Sequence, residues 1–131
     1  MKRASTISRY LLGVMFTIFG ANGFLHFLQQ PPPSSELAMQ FLTSASASHF
    51  FVLIFLLQLA SGVLLLADRF VPLALVVLAA ILTNILNYHL TMDPGGIAPG
   101  LVATLLWFLT AQNFRYDFRG LFASKAEPAR A

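Results

Sequence analysis

The sequence contains no cysteine and few charged residues. Without Cys, a chain of 131 residues forms no internal disulfide bridge, thiol nucleophile or thiolate metal site. Charged residues make up 10% of the chain and hydrophobic residues 57%, which is far from the average of soluble proteins. The long apolar runs hold no Asp or Glu between their ends, so a relay of paired carboxylates is disfavoured. These shortages indicate a membrane protein.

Four apolar runs predict membrane-spanning helices over residues 10–28, 49–67, 70–91 and 97–114. Each run is close to the roughly 20 residues that cross a hydrocarbon core of about 30 Å as a helix. We therefore predict an all-α fold, a four-transmembrane-helix bundle, in a single domain over residues 1–122. The polar residues 123–131 predict a disordered cytoplasmic tail.

The basic residues and the histidines lie at opposite ends of the predicted spans. All eight Lys and Arg precede the first span, separate the second from the third, or follow the fourth. The outer loops, residues 29–48 and 92–96, contain neither Lys nor Arg. The positive-inside rule predicts that both termini lie in the cytoplasm. We expect the membrane to be a bacterial-type inner (plasma) membrane. The net charge of +3 is then explained by topology and by membrane lipid as a partner, not by nucleic acid.

The start of the chain also resembles a secretory signal, because basic residues precede an apolar run and Ala21-Asn22-Gly23 resembles a cleavage site. The run continues to Leu28, so we expect an uncleaved first span, with a cleaved signal as the alternative.

The first outer loop predicts a short interfacial helix. The prolines at 31–33 end the first span, and Ser34 or Ser35 can cap a helix over residues 36–43. This segment is too short to span, so we expect it to lie in the outer interface or over the mouth of the bundle. Residues 44–48 are all Ser or Ala and predict a linker. In the second outer loop, Asp93 is expected to form an Asx-type turn before Pro94.

Small residues within the spans offer close contacts between helices. They are Gly13, Gly20, Gly23, Ser61, Gly62, Ala79 and Ala80.

Polar residues in the outer half of the predicted spans are the candidate ligand-binding residues. Asn22 lies roughly 18 Å and His26 roughly 24 Å above the inner end of the first helix, at a spacing that puts both on one face. Asn84 lies roughly 21 Å up the third helix, and Asn87 and Tyr88 continue its face. The candidate set is Asn22, His26, Asn84, Asn87, Tyr88 and His89.

Structural interpretations of these residues stay open. Asn22 and Asn84 could simply tie two helices together by hydrogen bonds. For His26 and His89 proton handling or ligand binding is favoured, since an ionisable group within the membrane is costly. His49 is expected to be a hydrated interfacial residue and Gln58 a contact between helices. The spacing of the histidines is not diagnostic of haem or of a metal, so neither is favoured. No catalytic residue is assigned.

Several short segments resemble DoxX-like membrane proteins of the DoxX/DoxD type. The resemblance runs in matching order from about residue 9 to residue 122. Its segments are Phe19-Gly20-Ala21-Asn22-Gly23-Phe24-Leu25-His26-Phe27, Ser61-Gly62-Val63-Leu64-Leu65-Leu66, Arg69-Phe70-Val71-Pro72-Leu73-Ala74-Leu75, Asn84-Ile85, His89 and Asp93-Pro94. The resemblance implies a four-helix membrane bundle and, for some relatives, a place in membrane redox assemblies such as a thiosulfate:quinone oxidoreductase.

Two departures weaken an enzymatic interpretation of this chain. Gln58 stands where family members often carry Glu, and Trp107 stands near a position that is often acidic in close relatives. The first hypothesis is therefore an accessory subunit of a quinone-linked redox or oxidative/sulfur-stress complex. In it Asn22, His26, Asn84 and His89 would hold a quinone head group. The second is a non-catalytic membrane scaffold or assembly partner, alone or as a homo-oligomer. A transporter of a small solute is a weaker third hypothesis.

Overall fold

The computed structural model describes residues 2–129, so Met1 and the last two residues of the predicted tail, Arg130 and Ala131, lie outside it. Within that range the chain forms five α-helices and no strand, which confirms the all-α class. The helices are α1 (Lys2–Leu25), α2 (Glu36–Ala47), α3 (Phe51–Ala67), α4 (Val71–Thr91) and α5 (Ala98–Ala111). Short 3-10 turns cover Pro94–Gly96, Gln112–Phe114 and Arg119–Phe122.

Four of the helices pack side by side around one apolar core. The helix α1 packs against α3 and α5, and α4 packs against the same two helices, so α1 and α4 lie diagonally across from each other. Leu12, Leu65, Leu75 and Leu78 are fully buried between them. We call the end with Lys2 and the α3–α4 connection the inner end, and the opposite end the outer end, after the predicted topology.

Glycines bring α1 and α3 into backbone contact. A Cβ atom on Gly20 would lie 2.5 Å from the backbone nitrogen of Leu59, and one on Gly62 would lie 2.5 Å from that of Thr17. Any side chain at these positions would push the two helices apart. The prediction of close contacts is therefore confirmed for these glycines, whereas Ala80 is exposed on α4.

The bounds of the predicted first and fourth spans need correction. The helix α1 begins at Lys2, eight residues before the predicted start, because Ser5, Ser8 and Arg9 are buried against the neighbouring helices. It ends at Leu25, three residues before the predicted end, and the next residue, His26, has a left-handed φ of 51°. At the other end of the chain, α5 stops at Ala111 and a 3-10 turn replaces the rest of the predicted span.

The short helix α2 is present as predicted but extends further. Ser35 caps it by accepting a hydrogen bond from the backbone N–H of Ala38. Residues 44–47, predicted as a linker, are helical, because Ala45 is buried and continues the face of α2 that begins with Ala38. A break at His49, with φ of 59°, then turns the chain by 85° into α3.

Two helices, α1 and α4, are each long and apolar enough to cross a membrane. A third candidate arises if α2 and α3 are counted together as one bent span.

Candidate functional site

Asn22 and His26 occupy the outer end of α1. The Asn22 side chain is buried, and its Oδ1 accepts a hydrogen bond of 2.7 Å from the backbone N–H of Leu28. This hydrogen bond ties the residues that follow α1 back to its last turns. The His26 side chain is exposed, and its backbone N–H donates to the Asn22 carbonyl at 2.9 Å. Because the helix ends at Leu25, the two side chains do not share a helical face as the four-residue spacing predicts.

Asn84 and Asn87 lie on the exposed side of α4. The Asn84 Nδ2 donates to the carbonyl of Ala80 at 3.0 Å, and the Asn87 carbonyl accepts from Thr91 Oγ1 at 2.7 Å. All these bonds remain within α4. Since α1 and α4 are diagonal neighbours, the structure does not bring Asn22 and Asn84 together.

Tyr88 and His89 lie half-buried at the outer end of α4. Their ring centroids are 4.9 Å apart in an edge contact. The His89 Nδ1 lies 3.0 Å from the carbonyl oxygen of Asp93 and 3.9 Å from Asp93 Oδ2. Because a carbonyl oxygen only accepts, Nδ1 carries the proton in this contact. Of the six candidates, Tyr88 and His89 are thus the pair that the structure keeps in ring contact.

Asp93 joins the two outer loops. Its Oδ1 accepts from the backbone N–H of Ser34 at 3.0 Å and also from Ser34 Oγ. The next residue, Ser35, donates from its Oγ to the carbonyl of Met92. We call Ser34, Ser35, His89, Met92 and Asp93 the outer latch. The sequence predicted only a local turn at Asp93, and no sequence signal marks its partner 59 residues away.

The outer latch favours an ionised Asp93. The hydrogen bonds from the Ser34 side chain and backbone lower the pKa of the Asp93 carboxyl group, and the nearby His89 lowers it further. Partial burial opposes these effects without reversing them. A Cβ atom on Gly96 would lie 2.9 Å from His89 Cε1 and 3.1 Å from Asp93 Oδ2, so a side chain at this position would displace the His89 ring or the Asp93 carboxylate.

A chain of aromatic rings lies between α2 and the other helices. Phe24 contacts Phe55 at 6.3 Å between ring centroids, Phe55 contacts Phe51 at 5.7 Å, and Phe51 contacts Phe41 at 6.1 Å. Phe41 of α2 contacts Tyr88 of α4 at 5.7 Å. Edge and tilted contacts of this kind add about 0.5–1.5 kcal/mol each beyond burial. The rings therefore hold the middle of α2 while the outer latch holds its start.

Arg9 holds a buried polar contact at the inner end. Its Nη1 donates to the carbonyl of Leu65 near the end of α3 and lies 3.5 Å from Asp68 Oδ1. The residue is 6% exposed, and its guanidinium stacks 4.5 Å from the centre of the Tyr10 ring. A positive charge at the last carbonyls of a helix is favourable. Sequence reasoning assigned Arg9 only a role in topology.

Ser5 extends this contact to α5. Its Oγ donates to the carbonyl of Thr110 at 2.9 Å. We call Ser5, Arg9, Leu65, Asp68 and Thr110 the inner lock. It joins the start of α1 to the ends of α3 and α5.

Within residues 2–129, no group of three or more His, Cys, Asp or Glu side chains is arranged to hold a metal ion. No family model matches the chain, and neither a curated protein nor a solved structure is significantly similar to it.

Proposed function

We propose that the chain is an integral membrane protein with four spans and both termini in the cytoplasm, and that it serves as an accessory subunit of a membrane complex. Its assembly surface would be an exposed polar stripe on α4. The resemblance to DoxX-like proteins supports a complex of the quinone-linked redox or oxidative/sulfur-stress type.

The lengths of α3 and α5 support four membrane spans, in place of only two or three. The 17 residues of α3 rise roughly 26 Å, close to the thickness of a hydrocarbon core. The 14 residues of α5 and the following 3-10 turn together rise roughly 27 Å. Both helices pack against α1 and can therefore share its depth in the bilayer.

The polar stripe on α4 carries the proposal. At helical spacing, Ala80, Thr83, Asn84, Asn87 and Thr91 share one face, and all five are exposed. We call these residues the α4 face. Towards the inner end the same face continues with Leu73 and Val76, which are apolar as contact with lipid requires. The change from apolar to polar occurs near the middle of the helix.

The side chains of the α4 face keep free hydrogen-bonding groups. Asn84 uses one N–H within its own helix, which leaves its second N–H and its Oδ1. Within residues 2–129 the Asn87 side-chain amide forms no hydrogen bond, although its backbone carbonyl accepts from Thr91. An unpaired amide in an apolar medium costs about 1–3 kcal/mol. A second transmembrane helix that forms hydrogen bonds with these amides would remove that cost. Each such bond stabilises the contact between the helices by about 0.6–2 kcal/mol.

A cysteine scan tests this assembly surface directly, because the chain has no cysteine of its own. The Ala80→Cys variant, labelled with a short reagent that carries a maleimide and a photoreactive diazirine, should be cross-linked to its partner in native membranes. Leu105→Cys is the matched control, since Leu105 is 61% exposed on α5 among apolar neighbours. Mass spectrometry of the product would identify a second copy of this chain or a redox subunit.

Replacement of the amides sharpens the test. In the Ala80→Cys background, Asn84→Leu with Asn87→Leu should reduce the cross-linked product to the level of Leu105→Cys. If Leu105→Cys is cross-linked as efficiently as Ala80→Cys, or if the leucine variants leave the product unchanged, the α4 face is not an assembly surface.

The quinone site was predicted at Asn22, His26, Asn84 and His89; because Asn22 and Asn84 lie apart, we now propose His89 with its neighbour Tyr88 for this ligand. Their ring contact and the aromatic neighbour Phe41 supply a polar and stacking environment of the kind that small aromatic ligands occupy. Mass spectrometry of an organic extract from the purified protein, compared with an unrelated membrane protein, would test this.

A further inference from the structure

The segment that follows α5 presents two arginines on one tyrosine. The Arg115 guanidinium carbon lies 5.0 Å from the centre of the Tyr116 ring, and that of Arg119 lies 4.4 Å from the same centre. Arg115 Nη2 also donates to the Tyr116 hydroxyl at 3.2 Å. All three side chains are exposed. We call them the Arg–Tyr–Arg cluster.

Among the residues that the structure describes, none supplies a counter-charge to the cluster. The ion pairs formed within residues 2–129 are Arg9–Asp68 and His89–Asp93, so neither arginine of the cluster has a carboxylate within 4.0 Å. Asp117 lies between them in the sequence but pairs with neither. Two guanidinium groups on one ring repel each other unless an anion lies near both. Each guanidinium presents several N–H donors in a planar fork that matches phosphate oxygens.

Apolar side chains flank the cluster on the chain. Leu121 is 67% exposed and Phe122 is 85% exposed, and Gly120 separates them from Arg119. Phe114 and Phe118 instead pack against the apolar core, which fixes the segment to the inner end. The cluster and the two exposed apolar residues thus lie on one short segment, whose exposed side chains include both cationic and apolar groups.

We propose that Arg115, Tyr116 and Arg119 bind the phosphate of an anionic phospholipid, with Leu121 and Phe122 inserted beside its acyl chains. This combination fits a lipid better than free phosphate, because phosphate alone leaves the exposed leucine and phenylalanine uncovered. Basic residues at the cytoplasmic surface of a membrane attract anionic lipid in this way. The inference rests on the membrane part of the proposed function but does not depend on the α4 face.

Lipid binding by the full-length protein in mild detergent tests the site. Native mass spectrometry would compare phosphatidylglycerol with phosphatidylcholine of the same acyl chains. We expect clear selectivity for phosphatidylglycerol, and for each of Arg115→Gln and Arg119→Gln a loss in affinity greater than the roughly fivefold that a single surface arginine contributes in general. Arg69→Gln is the matched control, because Arg69 is an exposed arginine at the inner end with no part in the cluster.

Two further variants separate a built site from general positive charge. Tyr116→Leu keeps the net charge but removes the ring that holds both guanidinium groups, so it should also weaken phosphatidylglycerol binding. The double variant Leu121→Ser, Phe122→Ser should lower the affinity for phosphatidylglycerol. It should leave the affinity for glycerophosphate, which lacks acyl chains, unchanged.

Three results would overturn the site: equal binding of the two lipids, an equal loss with Arg69→Gln, or tight binding of glycerophosphate by itself. Cross-linking of Ala80→Cys tests the α4 face independently of lipid binding, so failure of the lipid site would not reject the assembly surface, or the reverse. Release of the protein from membranes by alkaline carbonate would instead reject the membrane assignment.

Discussion

The inner and outer ends of the helices are held together by different kinds of contact. At the inner end a buried guanidinium binds a helix-terminal carbonyl, and the partners belong to long helices in the main core. At the outer end a carboxylate accepts hydrogen bonds from a loop, and the latched element is the 12-residue helix α2. We infer that the inner lock contributes to the stability of the whole fold, whereas the outer latch controls a local element that can open by itself.

Loss of Arg9 should have the largest effect. Arg9→Met removes the charged donor to the Leu65 carbonyl, which then keeps only the long hydrogen bond of 3.4 Å from the backbone N–H of Asp68, while the length of the side chain is largely kept. Because hydrogen bonds to charged groups contribute about 1.5–3 kcal/mol, we expect the free energy of unfolding in detergent to fall by about that amount. The Asp68 carboxylate adds little, since its side chain is 66% exposed.

Arg3→Met is the control for this prediction, because Arg3 is exposed on the same helix. Arg9→Lys should recover part of the loss, since lysine keeps the charge but not the planar fork. Equal unfolding of Arg9→Met and Arg3→Met would show that the inner lock does not stabilise the fold.

Loss of Asp93 should have a smaller and local effect. Asp93→Ala removes the acceptor of both Ser34 bonds, so the start of α2 is held only by the Ser35 hydrogen bond to the Met92 carbonyl, while its aromatic contacts remain. We expect faster amide hydrogen exchange over Glu36–Ala47 and unchanged exchange over α3 and α4. Glu36→Ala is the control, because Glu36 is an exposed carboxylate in the first turn of α2. Faster exchange throughout the protein would contradict the distinction between the two ends.

The sequence predicted where the helices lie better than it predicted which residues the polar side chains contact. Apolar runs, the prolines before α2 and the Ser35 cap are local signals, and they located all five helices. The partners of Arg9 and Asp93 lie 56 and 59 residues away, and no local pattern marks such pairs. Likewise, no local pattern shows that Asn22 and Asn84 lie apart. Depth in the membrane can be counted along each helix, but the diagonal arrangement of α1 and α4 depends on how all the helices pack.

The smallest expected effect is a pH dependence confined to the outer latch. The Ser34 hydrogen bonds lower the pKa of Asp93 in the folded state, so the latch binds the ionised form more strongly than the protonated form. A lowered pKa gives stability that is fully present above the unfolded value of about 3.9 and is lost as pH falls through the folded value. Amide protection of α2, corrected for intrinsic exchange, should therefore stay constant from neutral pH to about 5 and decrease below about 4. Asp93→Asn keeps an acceptor for Ser34 but does not titrate, so this decrease should disappear in that variant. If it persists, another group is responsible and the outer latch is not what makes α2 sensitive to acid.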